Sequence, residues 1–353
     1  MGLLERMNAG AHESVYYRHD EASGLRAIIA IHSTALGPAL GGTRWYPYPN
    51  EDDALEDVLR LSSAMTAKAA VAGLDLGGGK AIVIGDPHAK TPAQLEAYAR
   101  FVDDLGGRYV TTTDVGTTSA EMDTIRGFTP HVVGVAEALG GGGDTSELTA
   151  ITITEGMRAA LDVVFGSDSF EGRHVLVLGI GKVGAKVARI AKEQGARVTI
   201  ADVRADAVAD LAEELQVGAV DPAAALETEC DVLSPNALGR LLNPDTIPLL
   251  RCRVVCGGAN NQLQNDPEDA RFLAARDILY APDYVVNSGG LISAAVEREG
   301  FDAGRAREIA GRVFDTTRSV LTTARSEGIS TAEAAQQLWQ ARLASAMSTD
   351  AAD

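Results

Sequence analysis

Cysteine is scarce in this chain, with three among 353 residues, at Cys230, Cys252 and Cys256. They have no partner cluster at metal-ligand spacing, and Cys252 and Cys256 lie in or beside an expected strand. They read as reduced core residues, not a disulfide framework. The six histidines form no recognisable metal set either, so no metal is expected. Positive charge is short too: 31 Lys plus Arg against 49 Asp plus Glu leave a formal net charge of -18, with no compensating basic block. That argues against a nucleic-acid or anionic-membrane surface, although local charge can still oppose the global sign and hold an anionic substrate. No apolar run reaches transmembrane length and no apolar signal segment is visible, so a soluble, cytoplasmic protein with no membrane partner is expected. Internal repeats and low-complexity domains are missing as well. Apolar residues are plentiful, at 46%, enough for two domains with sizeable cores.

The most informative stretch is Arg173 to Asp202, RHVLVLGIGKVGAKVARIAKEQGARVTIAD. Val175 to Leu178 reads as a buried strand, a helical pattern continues through Val187, Ala188 and Ile190, and Val198 to Ile200 begins a second strand. Between the first strand and the helix stands Gly179-Ile180-Gly181-Lys182-Val183-Gly184. This is the order and length of a dinucleotide-binding βαβ unit. Gly179 permits the tight turn, Gly181 lets backbone approach a pyrophosphate, and Gly184 lets the helix pack against the sheet. The helix N-terminus would hold the pyrophosphate through free N–H groups and the dipole. Asp202, at the end of the second strand, would accept ribose hydroxyls and repel a 2′-phosphate, favouring NAD over NADP. The bland alternative is an ordinary glycine-rich turn.

Ahead of this unit, strands are expected around Val15 to Arg18 and from Leu25 to Ile31. The glycines and prolines of LGPALGGTRWYPYPN make residues 36–50 a turn or loop. A helix begins near Glu51, with Leu55, Val58, Leu59, Ser62, Met65, Ala69 and Ala72 at three- and four-residue spacings. Lys68 lies on or beside its apolar face, either snorkelling or paired. In GLDLGGGKAIVIGDP, Gly77-Gly78-Gly79 brings the backbone round and Lys80 opens a strand from Ala81 to Ile84. No P-loop spacing is present. Lys80 is either a surface lysine at a strand start or a desolvated amine with a lowered pKa. Tyr109 to Thr112 extends toward Asp114, which is an ordinary turn aspartate or a carboxylate facing Lys80. Thr118 or Ser119 can cap the next helix, which is entered through Glu121. GGGG at 140–143 marks a hinge, followed by a possible Asp144/Glu147 capping box for a helix from about Ser146 to Val164. The second half alternates strands and helices, an α/β doubly wound pattern, with helical stretches from Arg305 to Ser326 and from Thr331 to Met347.

With AIIAIHSTALGPALGGTR, AMTAK, GLDLGGGK, DVGTT, the dinucleotide unit, GGANNQL and APDYVVNSGG in that order, the chain resembles the amino-acid dehydrogenase family of glutamate, leucine, phenylalanine and valine dehydrogenases. The resemblance runs over nearly the whole length and is closest to the NAD-dependent leucine and valine members. It implies an N-terminal α/β substrate domain, residues 1–143, that also forms homo-oligomers. A Rossmann-type NAD domain would follow over 144–328, and a C-terminal helix over 329–353 would return to the substrate domain. It implies Lys80 as the catalytic lysine and Asp114 as the aspartate that assists proton transfer. It implies that Lys68 grips the substrate α-carboxylate, with Gly41, Met65, Leu40, Thr112, Asn261, Leu291 and Ala294 about the substrate. Thr149, Lys182, Val183, Asn236, Ala259, Asn261 and Asn287 would join Gly179, Gly181, Gly184 and Asp202 around the cofactor. The implied reaction is reversible oxidative deamination of a branched-chain L-amino acid to a 2-oxo acid and ammonia. Phenylalanine dehydrogenase and a non-catalytic NAD-binding homo-oligomer are the alternatives. Thr152 stands where relatives usually have glycine, and Asn236 where many have cysteine. Because an ionised carboxylate close to Lys80 would oppose its pKa depression, Asp114 is expected within reach of the lysine, not in a tight permanent ion pair.

Overall fold

Nine residues of the first half, Leu25–Ser33 (β2), are buried except at Arg26, and their alternation explains the layers around them. Ile28 and Ala30 pack with Ala54, Leu55, Val58 and Leu59 of the helix Glu51–Val71. Leu25, Ala27, Ile29 and Ile31 point the other way, into a cluster with Tyr98, Phe101 and Val102 of the helix Pro92–Asp103. A period of two along a strand therefore feeds two cores, one on each face of a sheet. Each fully buried side chain of this size contributes about 1.5–3 kcal/mol. The computed structural model describes residues 2–350. They form two units, each built on its own sheet.

The first unit takes the chain up to Gly143, adds Ser293–Ala303, and includes what is described from Trp339 on. Its strands are β1 (Ser14–Asp20), β2, β3 (Ala39–Tyr46), β4 (Gly77–Ile84) and β5 (Tyr109–Thr113), in the order β1-β2-β4-β3-β5. β1, β2 and β4 pair antiparallel, whereas β3 runs parallel to both β4 and β5. Two sequence expectations fail here for one reason. Residues 36–50 do not form a loop, because β3 lies inside them and is interior to the sheet; Gly77-Gly78-Gly79 is no turn but the first part of β4. These glycines serve close approach within an extended backbone, not chain reversal. A Cβ on Gly41 would sit 1.7 Å from the carbonyl oxygen of Gly79, and one on Gly78 would sit 2.1 Å from the backbone nitrogen of Thr66. Lys80 is consequently the fourth residue of its strand.

Helix ends in this unit follow their capping chemistry. Asn50 Oδ1 accepts from the Asp53 N–H at 2.9 Å to start the helix Glu51–Val71, and acidic side chains fill its first turn. At its other end Arg342, from the final helix Thr331–Asp350, donates to the carbonyl of Ala70 at 2.8 Å and to Asp75 at 3.1 Å. Of the two candidate caps it is Thr118 that stands at the N-cap of the helix Ser119–Arg126, in a capping box with Glu121.

The second unit comprises Asp144–Ile292 and Gly304–Leu338. Its strands are β6 (His174–Leu178), β7 (Arg197–Ala201), β8 (Gly218–Ala219), β9 (Val232–Pro235), β10 (Val254–Val255) and β11 (Leu279–Tyr280). All pairs are parallel, in the order β11-β10-β9-β6-β7-β8. Read from the other edge this is the doubly wound order of a Rossmann fold, whose direction reverses between β6 and β9. Two details depart from expectation. Asp144 and Glu147 form no capping box; the residue before the helix Ser146–Phe165 is Thr145, and Asp144 Oδ1 instead accepts from the Ser146 N–H at 3.0 Å. The stretch from Arg305 to Ser326 is two helices, Ala303–Gly311 and Val313–Glu327, separated at Arg312. Glycine at the end of the first lowers the cost of leaving the helix there.

Candidate active site

In the first unit, strand register assembles the charged groups. β3 pairs with β5 so that Thr43 is opposite Thr113, which sets the next residues, Arg44 and Asp114, side by side. β3 also pairs with β4, Arg44 opposite Ile82. Alternation along β4 sends Lys80 to the same face as Ile82, the face covered by the helix Glu51–Val71. Lys80 is only 5% exposed, and its Nζ lies 3.0 Å from Asp114 Oδ2. The tight pair that the sequence argument disfavoured is therefore present. A second cation accounts for it: Arg44 Nε donates to the same Oδ2 at 3.0 Å, while another of its nitrogens donates to Asp57 Oδ2 at 2.7 Å. Tyr48 donates its hydroxyl to that Asp57 oxygen at 2.5 Å, and Arg60 donates to the other one at 2.7 Å.

Burial is the largest influence on Lys80 and pulls its pKa below the ordinary lysine value, against the attraction of Asp114 and with help from Arg44. Burial would raise Asp114, but Lys80 and Arg44 overcome it and hold the carboxyl below its usual range. The amine is thus biased toward release of its proton and the carboxylate toward ionisation, the combination a proton-transfer site needs.

The other expected residues of this unit surround the pair unevenly. Gly41 lies against the Gly79–Lys80 backbone, and Leu40, 1% exposed, is packed within β3. Thr112 pairs with Gly42, next to the Arg44–Asp114 junction. Met65 and Lys68 are half-buried in the last two turns of the helix Glu51–Val71, and Ala294 is buried in the Ser293–Ala303 segment. Arg44 and Asp57 were not singled out by sequence. A loop over 36–50 offers no strand alternation to place Arg44, and Asp57 belongs to no motif of the sequence.

The second unit gathers the nucleotide-type residues at the β6/β9 switch point. Gly179 turns with φ of +94°, and a Cβ there would meet Ala237 at 2.6 Å. A Cβ on Gly184 would meet the Gly179 carbonyl at 1.9 Å, so the helix Lys182–Glu193 packs directly on the turn. Gly181 faces open space, and its helix start has no side-chain cap. N–H groups so exposed fit a pyrophosphate. Asn236 gives its amide to Ser234 and accepts from the Gly258 N–H at 3.0 Å, tying the strand ends together. Asn287 donates to Asn260 at 2.8 Å, but among the described residues its buried Oδ1 and the neighbouring Ser288 hydroxyl have no hydrogen-bond partner. Buried polar atoms in that state are costly unless a ligand meets them. Thr149 and Thr152 both return their hydroxyls to helix carbonyls, at 2.9 Å each, so Thr152 is accommodated without a glycine. Ala259 and Leu291 are buried in this unit, Lys182 is exposed, Val183 is half-buried, and Asn261 has a left-handed φ of +52°. These residues fit a dinucleotide.

Asp202 carries a qualification to the charge argument. It accepts from the Ile180 N–H at 2.8 Å and pairs with Arg204 at 3.0 Å, its side chain only 10% exposed. Chiefly through Arg204 its pKa falls to about 2. The acid is ionised, as a ribose acceptor should be, but an arginine beside it partly cancels the repulsion that would exclude a 2′-phosphate.

Two family models match the chain. Residues 12–131 match the family model described as Glu/Leu/Phe/Val dehydrogenase, dimerisation domain. Residues 199–350 match the one described as Glutamate/Leucine/Phenylalanine/Valine dehydrogenase. The chain is 49% identical to a valine dehydrogenase of Streptomyces virginiae, over 97% of each chain. It is 43% identical to a leucine dehydrogenase of Geobacillus stearothermophilus, over 97% of this chain and 94% of that one. The crystal structure of an L-tryptophan dehydrogenase from Nostoc punctiforme superposes with a TM-score of 0.91 at 37% identity, covering 98% and 99% of the two chains.

Proposed function

The chain belongs to the Glu/Leu/Phe/Val dehydrogenase family, and from that premise we propose that it deaminates valine or leucine oxidatively with NAD+, releasing the 2-oxo acid and ammonia. It is an amino-acid dehydrogenase with an NAD(P)-binding domain, acting on a branched-chain or aromatic amino acid; the finer choices of substrate and cofactor are our reading. The observation that carries the chemistry is the buried Lys80 amine against Asp114, 3.0 Å apart.

Bound nicotinamide supplies the hydride acceptor, and the remaining steps fall to side chains of this protein. Lys68 pairs with the α-carboxylate of the amino acid and so orients its α-carbon. Asp114 takes a proton from the substrate ammonium, which must be lost before the C–N bond can gain double-bond character. Once the imine exists, neutral Lys80 takes a proton from the water that adds to its carbon. Lys80 and Asp114 then return a proton to nitrogen as the C–N bond breaks and a carbonyl forms. The N-terminus of the helix Lys182–Glu193 would hold the pyrophosphate and Asp202 the adenosine ribose. Thr149, Asn236, Ala259, Asn261 and Asn287 would border the nicotinamide. Within the first unit, Leu40, Met65, Thr112 and Ala294 would border the substrate side chain, with subunits associating through that unit.

A panel of L-amino acids, followed as NADH formation at alkaline pH, tests the reading. Valine and leucine should have the highest kcat/KM. Preference for phenylalanine or tryptophan would replace the substrate assignment, and no turnover with any member would overturn it. One methylene is worth only about 1–3 kcal/mol in such a pocket, so valine and leucine should differ modestly.

A further inference from the structure

Lys80 cannot be understood from Asp114 alone. An amine paired one-to-one with a buried carboxylate is held protonated, since losing the proton would strand a negative charge. The hydrogen-bonded chain continues past that pair. Asp114 Oδ2 is shared between Lys80 and Arg44, each at 3.0 Å, and Arg44 reaches on to Asp57 at 2.7 Å, which also holds Arg60. When Lys80 is protonated, Lys80, Arg44 and Arg60 face Asp114 and Asp57, a surplus of one positive charge. When Lys80 is neutral, the remaining two cations and two carboxylates balance. Without Arg44 the chain would balance only with Lys80 protonated.

Resting on the assignment of Lys80 as the base, we propose that Arg44 is a positioning residue that compensates Asp114 and so sets the pH at which Lys80 becomes a base. The other groups on neighbouring elements leave that role to Arg44. From β2, His32 bonds Thr66 through Nδ1 at 2.8 Å and is kept neutral by burial, its pKa lowered to about 4. Along the helix Glu51–Val71, Asp57 opposes Arg44 and pulls Lys80 upward, while Lys68 adds a second amine. Tyr48 spends its proton on Asp57. Arg44 alone among these touches the oxygen that Lys80 touches, and a guanidinium does not lose its charge in the working range.

The test is the pH profile of kcat/KM for deamination in the full-length enzyme. Arg44→Gln should move the acid limb upward by roughly one to two pH units, with activity recovering on the alkaline side. Arg44→Lys, which keeps the charge, should return the limb toward its original position. Asp57→Asn should move it the opposite way, downward, because Arg44 is then less compensated. That variant carries the test if Arg44→Gln does not fold. A limb left in place by Arg44→Gln, with rates lowered equally at every pH, would overturn the proposal in favour of a purely structural clamp. So would an unmoved limb in Asp57→Asn. Lys80→Ala separates the two layers. If the limb persists without Lys80, the base assignment fails and takes this proposal with it. If the limb belongs to Lys80 but ignores Arg44, only the role of Arg44 falls.

Discussion

The two units use glycine in the service of different chemistry. In the first, Gly41 and Gly78 disappear into strands so that neighbouring backbones can close up, and the functional groups are side chains raised on that packed sheet. In the second, Gly179 and Gly184 bring a turn and a helix start together, and Gly181 leaves backbone N–H groups facing open space. A site made of side-chain charges has to be balanced, and each of Lys80, Asp114, Arg44 and Asp57 has a counter-ion at 3.0 Å or less. A site made of peptide dipoles carries no net charge of its own and stays ready for an anion. The lesson is that one half should respond to charge-altering substitutions and the other to added bulk.

The largest expected effect tests the first half of that contrast. Lys80→Ala and Asp114→Asn should each lower kcat by roughly 10²–10⁴-fold, the worth of a positioned acid–base group. NADH binding, followed by fluorescence, should hardly change. Near-normal turnover in folded Lys80→Ala would remove the side-chain unit from catalysis altogether.

Bulk should do in the second unit what charge does in the first. Gly181→Ala adds a methyl where, among the described residues, nothing beyond its own chain neighbours lies within 4 Å, so thermal stability should stay close to that of the parent. The same methyl stands where a pyrophosphate would approach, and NADH affinity should fall on the order of 10-fold, equivalent to about 1.4 kcal/mol. Unchanged affinity would mean the nucleotide does not lie over this turn.

The smallest effect sharpens the comparison where the second unit does use charge. Removing the exposed arginine in Arg204→Ala leaves Asp202 uncompensated, so the ratio of kcat/KM for NAD+ over NADP+ should rise roughly two- to fivefold, in keeping with the modest strength of solvent-exposed pairs. A fall in that ratio would show that Arg204 serves NAD+ directly.

Much of this protein was legible in local order. The helix Glu51–Val71, the Thr118–Glu121 cap and the strand–turn–helix–strand from His174 to Ala201 all follow from periodicity and capping over a few residues. Local rules failed for glycine, which serves both a reversing turn and a strand pressed against its neighbours. The two uses look identical in LGPALGGTRWYPYPN and GLDLGGGK, where Gly37 and Gly73 turn the chain at positive φ while Gly41, Gly42 and Gly77 to Gly79 lie in strands. A loop in place of β3 leaves Arg44 no face to be assigned to.

What the sequence by itself determined was most of the helices and the outer strands, the doubly wound half and the motif order that marks the family, since these rest on backbone preferences and side-chain period within single segments. Tertiary structure alone decided which charges meet. Arg44 and Asp114 are 70 residues apart in the chain, and no periodicity links them. They become neighbours because β3 and β5 pair in one register, and Lys80 joins them because β4 lies against β3 with its even-numbered side chains turned to the same helix. Shifting that register by one residue would turn every side chain of the strand to the other face. The ion pair at the centre of the site is thus a property of the sheet's register, enforced by the apolar residues buried on both of its faces.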